Sequence, residues 1–500
     1  MISIEHVQYT YENSSSGCLK DFSLQIPSGQ CVLLTGSSGC GKTTVTRLIN
    51  GLIPSFFEGT FSGQVFLDGV ERSEWSSDAL AAKVGSVFQN PRSQFFNLDT
   101  TSEIAFGCEN MGLSRAELHT RVRRAAADLK LEYLLGRDIF SLSGGEKQMI
   151  AIASVYAMNP DIYVLDEPSA NLDMEAIDKL RKILIHLKQR GKTILIAEHR
   201  LHYLRGVAER IVYMRDGCVL HDWAAAMFEA LSGVEQKKLG LRAFDLYRCV
   251  LPPKTVKNRP DGGIDVVHIK AGYRHQKSVL RDFSIQAGKG EIVAVVGRNG
   301  QGKSTFAKCL CGLIKEKSGT VFYEHVRYPC RSRAGEVYMV MQEPGYQLFA
   351  ASVRDELQVS LHHRLPDGGT TSRAQHILER MGLREKEEQH PLNLSGGEKQ
   401  RLAIAAGLMQ DTQIFFLDEP TSGLDYGNMQ RVVSVLQDLK QQGCIVFIIT
   451  HDYEFLLAVC DRLIVVENGK AVDSFPLTQA TISSLRELFL MQEEIHDVNK

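Results

Sequence analysis

The chain has 500 residues, of which 44% are hydrophobic and 23% are charged, and its formal net charge is −2. This composition is ordinary for globular protein, and the length predicts two or more domains. The near-neutral charge excludes an overall basic field of the kind that attracts nucleic acid. The 11 cysteines include no C-x-x-C pair, which argues against a disulfide framework and a zinc site. No run of about 18 apolar residues and no N-terminal signal pattern occurs, so we expect neither a membrane span nor a signal peptide.

A glycine-rich loop follows the first strongly apolar strand. Residues 30–35 predict that strand, residues 45–50 predict a helix, and the segment between them fits G-x-x-x-x-G-K-[ST] at every fixed position. The glycines let several backbone N–H groups face one point, and the helix N-terminus adds partial positive charge, so the segment predicts a phosphate-binding loop. Lys42 would reach the β- and γ-phosphates, and Thr43 would hold Mg²⁺. The residues predicted to bind nucleotide here are Gly36, Ser37, Ser38, Gly39, Cys40, Gly41, Lys42, Thr43 and Thr44.

Cys40 lies inside this loop and has two interpretations. It is either a small residue that fits the loop, or a reactive thiol whose pKa is lowered by the loop N–H groups and the helix N-terminus. The local sequence leaves both open.

The rest of the first half alternates strands with helices. A more polar, mainly helical stretch at about 90–150 predicts an inserted subdomain, and Asp216-Gly217 predicts a two-residue turn within a hairpin at 210–221. A short Pro/Gly-rich stretch, 251–263, predicts a linker. The remaining predicted strands are 2–11, 20–26, an edge strand that ends in a turn at 64–69, 83–88, 161–165 and 192–197.

The second half repeats this order. Lys42 and Lys303 are 261 positions apart, and Glu167 and Glu419 are 252 positions apart. A repeat of this length means two whole domains, which we place at 1–250 and 264–500, with the second helical subdomain at about 343–402. The second loop matches the same pattern through Gly297, Arg298, Asn299, Gly300, Gln301, Gly302, Lys303, Ser304 and Thr305.

Each half also ends an apolar strand in two adjacent carboxylates, Asp166-Glu167 and Asp418-Glu419. Burial of two adjacent acids is costly, whereas two solvated acids at an exposed strand end would be unremarkable. Downstream of a phosphate loop, the first acid can hold Mg²⁺ and the second can polarise a water for attack on the γ-phosphate. Successive strand residues face opposite sides, so the two acids would act differently.

The most specific pattern is a serine followed by two glycines and a glutamate at the start of a predicted helix. It occurs as Ser143-Gly144-Gly145 and again as Ser395-Gly396-Gly397. A helix N-terminus with two residues that lack a Cβ is a second anion site, and the simplest use for it is a nucleotide held by another domain. With this motif the sequence resembles the ATP-binding cassette (ABC) family, twice and over essentially the whole chain.

The resemblance implies roles for further residues. Tyr11 and Tyr273 match the aromatic that stacks on adenine, although an aromatic in a first strand is as often a core residue. Gln89 and Gln342 match a glutamine that senses Mg²⁺ and the attacking water and couples to the transport partner. His199 and His451 match the histidine at the γ-phosphate, and 169–173 and 421–425 match the loop that crosses the dimer interface. The residues implied for Mg²⁺ are Thr43, Gln89, Asp166, Ser304, Gln342 and Asp418.

The family fold implied is α/β: two tandem ABC-type P-loop nucleotide-binding domains, each with a mainly parallel core sheet, an antiparallel β part and an inserted α-helical subdomain. The resemblance further implies that the two halves close head to tail on two ATP molecules. Each ATP site would then combine the loop, acids, glutamine and histidine of one half with the Ser-Gly-Gly of the other. Because no motif position is degenerate, we expect both sites to hydrolyse ATP.

A second glutamine follows each of the first, as Gln89-x-Pro-x-x-Gln94 and Gln342-x-Pro-x-x-Gln347, before apolar residues. This pattern resembles the ATPases of energy-coupling-factor (ECF) importers of vitamins and transition-metal ions, unless the second glutamine only caps a helix. The resemblance implies two membrane partners, a scaffold protein and a substrate-binding protein, and a peripheral location at the cytoplasmic face of the membrane.

Two other function classes stay open. Duplicated ATPases of sugar or peptide importers have a similar length, but their second halves usually depart from the full signature. Double-cassette translation factors act on the ribosome, but they carry long charged linkers and basic extensions. The two halves of this chain differ around the histidine, which lies in Ala197-Glu198-His199-Arg200 in the first and in Thr450-His451-Asp452 in the second.

Overall fold

The computed structural model describes residues 1–12, 18–170, 172–252, 262–273, 277–360, 369–410 and 412–489. The chain separates into two compact units, Met1–Arg248 with Asp425–Gly427 and Cys249–Leu424 with Asn428–Lys500. Of the predicted linker, residues 253–261 lie outside the described residues, as does residue 171 in the loop after the first acid pair.

The first unit contains ten strands and nine α-helices within its described residues. The strands are β1 (Ile2–Tyr11), β2 (Leu19–Ile26), β3 (Cys31–Gly36), β4 (Gly59–Leu67), β5 (Val70–Glu71), β6 (Val84–Val87), β7 (Ile162–Asp166), β8 (Thr193–Ala197), β9 (Arg210–Arg215) and β10 (Cys218–Ala224). The helices are α1 (Lys42–Ile49), α2 (Leu52–Ser55), α3 (Ser77–Lys83), α4 (Thr100–Asn110), α5 (Arg115–Asp128), α6 (Gly144–Met158), α7 (Met174–Gln189), α8 (Ala225–Glu229) and α9 (Gly233–Lys238).

The second unit repeats this series within its described residues. Its strands are β11 (Gly263–Ala271), β12 (Leu280–Gly288), β13 (Ile292–Val296), β14 (Ser318–Tyr323), β15 (Val326–Arg327), β16 (Val337–Val340), β17 (Ile414–Asp418), β18 (Ile445–Ile449), β19 (Arg462–Glu467) and β20 (Lys470–Pro476). Its helices are α10 (Lys303–Leu310), α11 (Cys330–Arg333), α12 (Val353–Val359), α13 (Gly369–Arg380), α14 (Gly396–Met409), α15 (Tyr426–Gln441), α16 (Tyr453–Val459) and α17 (Ile482–Phe489).

The core sheet of each unit has six strands and is mainly parallel, as predicted. Its order is β10-β9-β3-β8-β7-β6 in the first unit and β16-β17-β18-β13-β19-β20 in the second, and only the hairpin strands β10 and β20 run antiparallel. Strands β3, β7 and β8 are buried along their whole length, which is why they read as continuous apolar runs. The order of the sheet brings the carboxyl ends of β3, β7 and β8 side by side.

The N-terminal part of each unit forms a second, antiparallel sheet, with the strand order β2-β1-β4-β5 in the first unit and β12-β11-β14-β15 in the second. The predicted edge strand at 64–69 is wrong in position, because β4 lies between β1 and β5. Asp68 and Gly69 both have positive φ and form a tight turn, which folds Val70–Glu71 back along β4 as the true edge.

Helices α4, α5 and α6 pack together through buried residues such as Ile104, Val122, Ala125 and Ile150. They follow β6 in the chain and precede β7, and α12 to α14 do the same between β16 and β17. None of the helices in the described ranges has the length and the apolar composition that crossing a membrane requires.

Candidate functional site

The glycine-rich loop leaves the end of β3 and enters α1, as the motif requires. Gly36 has φ 151°, and a Cβ at this position would lie 2.1 Å from the backbone oxygen of Met214 in β9. Gly41 has φ 105° at the N-cap of α1. The second loop repeats the geometry, since Gly297 has φ 147° and its Cβ would lie 2.3 Å from the oxygen of Val466. Glycine is therefore required where each loop turns away from its neighbouring strand.

The lysine of each loop is buried and directed at the loop itself. Lys42 Nζ donates to the backbone oxygens of Gly36 and Ser37, both at 3.0 Å. Lys303 Nζ donates to the oxygen of Arg298 at 3.0 Å. The ammonium groups are thus held beside the backbone N–H groups that can receive phosphate oxygens.

The first acid of each pair meets the hydroxyl that follows the lysine. Thr43 Oγ1 donates to Asp166 Oδ1 at 3.2 Å, and Ser304 Oγ donates to Asp418 Oδ2 at 3.1 Å. Burial raises the pKa of both aspartates above the usual value. A hydroxyl and a carboxylate that converge in this way are hard oxygen donors, so the residues present fit Mg²⁺.

The second acid turns into the same region, because Glu167 and Glu419 adopt left-handed φ values of 45° and 49°. Glu167 Oε2 accepts from Gln89 Nε2 at 2.7 Å, and Glu167 Oε1 lies 3.5 Å from His199 Nε2. Burial, together with the charge of Asp166, raises the pKa of Glu167 to about 8. The acids are buried, not solvated at an exposed strand end.

The two histidines lie beside these glutamates. Burial lowers the pKa of His199 well below its usual value, and the positive charge of Lys42 adds to the effect, so this environment favours the neutral imidazole. In the second unit His451 Nε2 lies 3.7 Å from Glu419 Oε1. A neutral imidazole can donate one hydrogen bond to an anionic oxygen without carrying charge.

The Ser-Gly-Gly segments begin α6 and α14. Ser143 Oγ accepts from Glu146 N at 3.3 Å, while Glu146 Oε2 accepts from Ser143 N at 2.9 Å, which is a capping box. Ser395 and Glu398 make the same pair. Each serine is therefore held at the N-terminus of its own helix by the glutamate of the same helix.

The two tyrosines differ from core residues in their surroundings. Tyr11 is half-buried, and its hydroxyl lies 3.2 Å from Thr44 Oγ1 and accepts from Arg47 Nη1 at 3.0 Å, whereas Tyr9 is the fully buried aromatic of β1. Tyr273 is 40% exposed, with Lys308 Nζ 5.6 Å from its ring centroid. Both rings lie next to the helix that follows the phosphate loop, and stacking on adenine stays a prediction.

Cys40 is buried, and burial raises the pKa of its thiol although Lys42 opposes the shift. Burial therefore favours the first interpretation, a small residue that fits the loop, because desolvation outweighs the nearby positive charge.

We expect Cys40 to react with a maleimide at pH 7.5 at least about tenfold more slowly than half-buried Cys218. At Cys40 the reagent has little access to the sulfur, and only a small fraction of the thiol is ionised. Peptide mass spectrometry after timed labelling measures both rates in one sample. Equal rates would contradict the burial argument.

The second glutamine of each Q-x-P-x-x-Q does not merely cap a helix. Gln94 Oε1 accepts from Phe88 N at 3.3 Å, and Gln94 Nε2 donates to Ser86 O at 2.9 Å, so the side chain clamps the loop to the end of β6. Gln347 accepts from Met341 N at 2.7 Å and donates to Met339 O at 3.3 Å.

Two further residues that hold this loop belong to no motif of the sequence. Buried Glu103 accepts from the N–H groups of Phe96 and Asn97 at 3.0 and 2.8 Å. Glu356 does the same for Phe349 and Ala350 at 2.8 Å each. The available signal was an acid at equal offset in both halves, among apolar helix residues.

Comparison with known proteins places this geometry in a family. The ABC transporter family model matches residues 19–170 and 280–422, and each match includes a phosphate loop, a Ser-Gly-Gly segment and an acid pair. A Treponema denticola protein, named as an ABC transporter ATP-binding protein, is 44% identical over 481 residues, covering 94% of this chain and 96% of that protein. Bacillus subtilis YkoD, named as an HMP/thiamine import ATP-binding protein, is 31% identical over 538 residues, covering 99% and 98%.

Among solved structures, ABCE1 in a model of ribosome-bound archaeal Pelota and ABCE1 superposes with a TM-score of 0.68 at 22% identity, covering 97% of this chain and 80% of that one. A likeness at this identity shows the double-cassette fold alone. Together, the two family matches and the full-length relatives show that this chain belongs to the ABC transporter family, as an ATPase with two tandem cassettes that bind and hydrolyse ATP.

Proposed function

We propose that this ATPase is the motor subunit of an ECF-type membrane importer that takes up a vitamin or a transition-metal ion. The proposal depends on one observation: in each half, an exposed phenylalanine follows the first glutamine. Phe96 is 73% exposed and Phe349 is 82% exposed. Large apolar side chains that are exposed at matched positions of two domains favour a partner that covers both.

These rings lie on loops that hydrogen bonds tie to neighbouring elements. Gln94 and Gln347 hold one side of the loop, and the buried carboxylates of Glu103 and Glu356 hold the backbone N–H of the aromatic itself. Leu98 and Phe140 are also exposed in the first half, at 72% and 74%. A preordered apolar surface costs little entropy on binding, which suits a permanent subunit contact. The relationship to YkoD, whose name assigns it to import, also supports the importer.

In the proposed reaction, the loop and Lys42 bind the β- and γ-phosphates, and Glu167 holds and polarises the attacking water with Gln89 beside it. His199 donates to a γ-phosphate oxygen. Thr43 and Asp166 would hold Mg²⁺, which would supply positive charge that offsets the phosphate charge. The second half uses Lys303, Ser304, Gln342, Asp418, Glu419 and His451 in the same roles.

The two ATP sites in this proposal are composite. The Ser-Gly-Gly of each half completes the site of the other half, head to tail, so Ser395 serves the first site and Ser143 the second. The shared chain raises the effective concentration of each half for its partner. Tyr11 and Tyr273 stack on the two adenines.

The test replaces the exposed rings. We expect the tagged chain, purified from mildly solubilised membranes, to carry a polytopic scaffold protein and a second small hydrophobic protein. Phe96→Asp with Phe349→Asp should remove both, because a charge in the contact is desolvated on binding. Met227→Asp, at a residue of α8 that is 63% exposed, is the matched control and should keep them. Recovery of ribosomal proteins without any membrane partner would overturn the importer in favour of a translation factor.

A further inference from the structure

The first unit contains a third buried acid next to the proposed catalytic residues. Glu198 is 2% exposed and directly precedes His199. Its Oε2 accepts from Ser169 Oγ at 2.7 Å, from Ser169 N at 3.3 Å and from the Tyr203 hydroxyl at 3.0 Å. Its Oε1 accepts from the backbone N–H groups of His199 and Arg200 at 2.7 and 3.1 Å. Five donors compensate the burial of one carboxyl group, which would otherwise be costly.

These bonds join two loops. Ser169 begins the segment that follows the acid pair, and His199 lies on the segment that follows β8. Arg200 adds a second link, because its Nη1 donates to the oxygen of Leu172 at 3.4 Å. The position of the imidazole relative to Glu167 therefore depends on side chains that neither the phosphate loop nor the acid pair supplies.

The second unit makes the same connection with a different residue. The position that matches Glu198 is Thr450, and the carboxylate comes two residues later, at Asp452. Asp452 Oδ2 accepts from Thr421 Oγ1 at 2.8 Å, and Thr421 matches Ser169. Asp452 Oδ1 accepts from Phe455 N at 3.1 Å and thereby caps α16.

A third position changes together with the acid. Tyr203, whose hydroxyl donates to Glu198, is matched by Phe455, which has no hydroxyl. The two units thus use two self-consistent sets for one link: Glu198, Arg200 and Tyr203 in the first, and Thr450, Asp452 and Phe455 in the second.

The exchange alters what surrounds the second acid of each pair. In the second unit His451 N donates to Glu419 Oε2 at 3.3 Å. In the first unit the corresponding N–H goes to Glu198, while Glu167 Oε2 accepts from Gln89 at 2.7 Å. In the first unit Glu198 therefore accepts the backbone N–H that the proposed catalytic carboxylate accepts in the second unit.

We propose that Glu198 is a positioning residue for ATP hydrolysis in the first half, which ties the loop of Ser169 to the loop of His199 as Asp452 ties the matching loops of the second half. The inference rests on the proposed roles of Glu167 and His199 and is independent of the importer. Misplacement of a reacting group by about 1 Å can cost two orders of magnitude in rate, so a link of this kind controls turnover without touching ATP.

The experiment transplants one set into the other half. In the full-length chain, Glu198→Thr should lower kcat for ATP to about half or less, with KM changed less than about twofold, because one of two sites loses its geometry while its phosphate loop remains. The triple variant Glu198→Thr, Arg200→Asp, Tyr203→Phe installs the set of the second half and should restore most of the lost kcat. Glu198→Gln keeps the volume of the side chain but has only one acceptor oxygen, so its kcat should lie between that of Glu198→Thr and that of the unaltered chain.

Thermal unfolding and the folded fraction are measured for every variant, so that kcat refers to folded protein. Unchanged kcat per folded molecule in Glu198→Thr overturns the proposal, as does a triple variant that regains stability but not kcat. His199→Ala is the reference for the site itself. If His199→Ala also leaves kcat unchanged, the proposed role of the histidine fails as well. This reference therefore distinguishes an error about His199 from an error about Glu198.

Discussion

Replacement of Glu167 or Glu419 by glutamine is expected to lower ATP turnover in each case, and the double replacement to abolish it. Both glutamates are buried, follow an aspartate that meets the loop hydroxyl, and lie 3.5 and 3.7 Å from a histidine. Glutamine keeps the shape but cannot take a proton. Loss of a positioned general base typically costs about 10² to 10⁴ in rate, so the double variant should retain less than about 1% of turnover.

The single variants test whether the two sites are equally competent. Independent sites predict about half the turnover in each variant, and cooperative sites predict less, but equally in both. Affinity for a fluorescent ATP analogue, measured in parallel, should stay within about twofold, since Lys42 and Lys303 remain. A chain in which one replacement abolishes turnover and the other leaves it untouched would contradict symmetric competence.

Gly36→Ala should lower the unfolding midpoint of the first cassette by about 10 °C, on the scale of about 3 kcal/mol in a domain of this size. The Cβ would lie 2.1 Å from the backbone oxygen of Met214, and Met214 is the residue paired with Gly36 between β3 and β9. Backbone in the middle of a sheet cannot move aside as the end of a flexible side chain can.

Gly39→Ala is the matched control in the same loop. Gly39 also has positive φ, 79°, but nothing lies within 4 Å of its Cβ position. Its replacement should cost only the left-handed backbone, about 1 kcal/mol or a shift of about 3 °C. Differential scanning calorimetry of the full chain measures both, and equal shifts in the two variants would show that contact with β9 is not what requires glycine at residue 36.

The sequence predicted those features whose geometry depends only on residues that are neighbours in the chain. Gly36 to Thr44 between an apolar strand and a helix, and Asp216-Gly217 in a hairpin, specify backbone geometry through residues that are neighbours in the chain. The buried parallel strands β3, β7 and β8 were equally predictable, because burial on both faces requires a continuous apolar run. Repetition of the whole motif order at a spacing of about 250 residues then indicated two cassettes of one family.

Inference failed where an outcome depends on what lies across the fold. The loop sequence left two interpretations of Cys40 open, and burial, which raises the pKa of the thiol, favours the small residue over the reactive thiol. The predicted edge strand at 64–69 became an interior strand because a two-residue turn added β5 beyond it. The structural use of Gln94 depended on reaching Ser86 and Phe88 across the loop.

The motifs, their order and their repetition were enough to indicate a double ABC ATPase, because each motif lies in a short, contiguous segment. The way in which the residues around each acid pair are held depends on contacts that form only when the chain folds. Glu198 was visible as a difference between the two halves, but its partner Ser169 is 29 residues away in the chain. A hydrogen bond over that separation exists only after β7 and β8 have paired, and no local pattern encodes it.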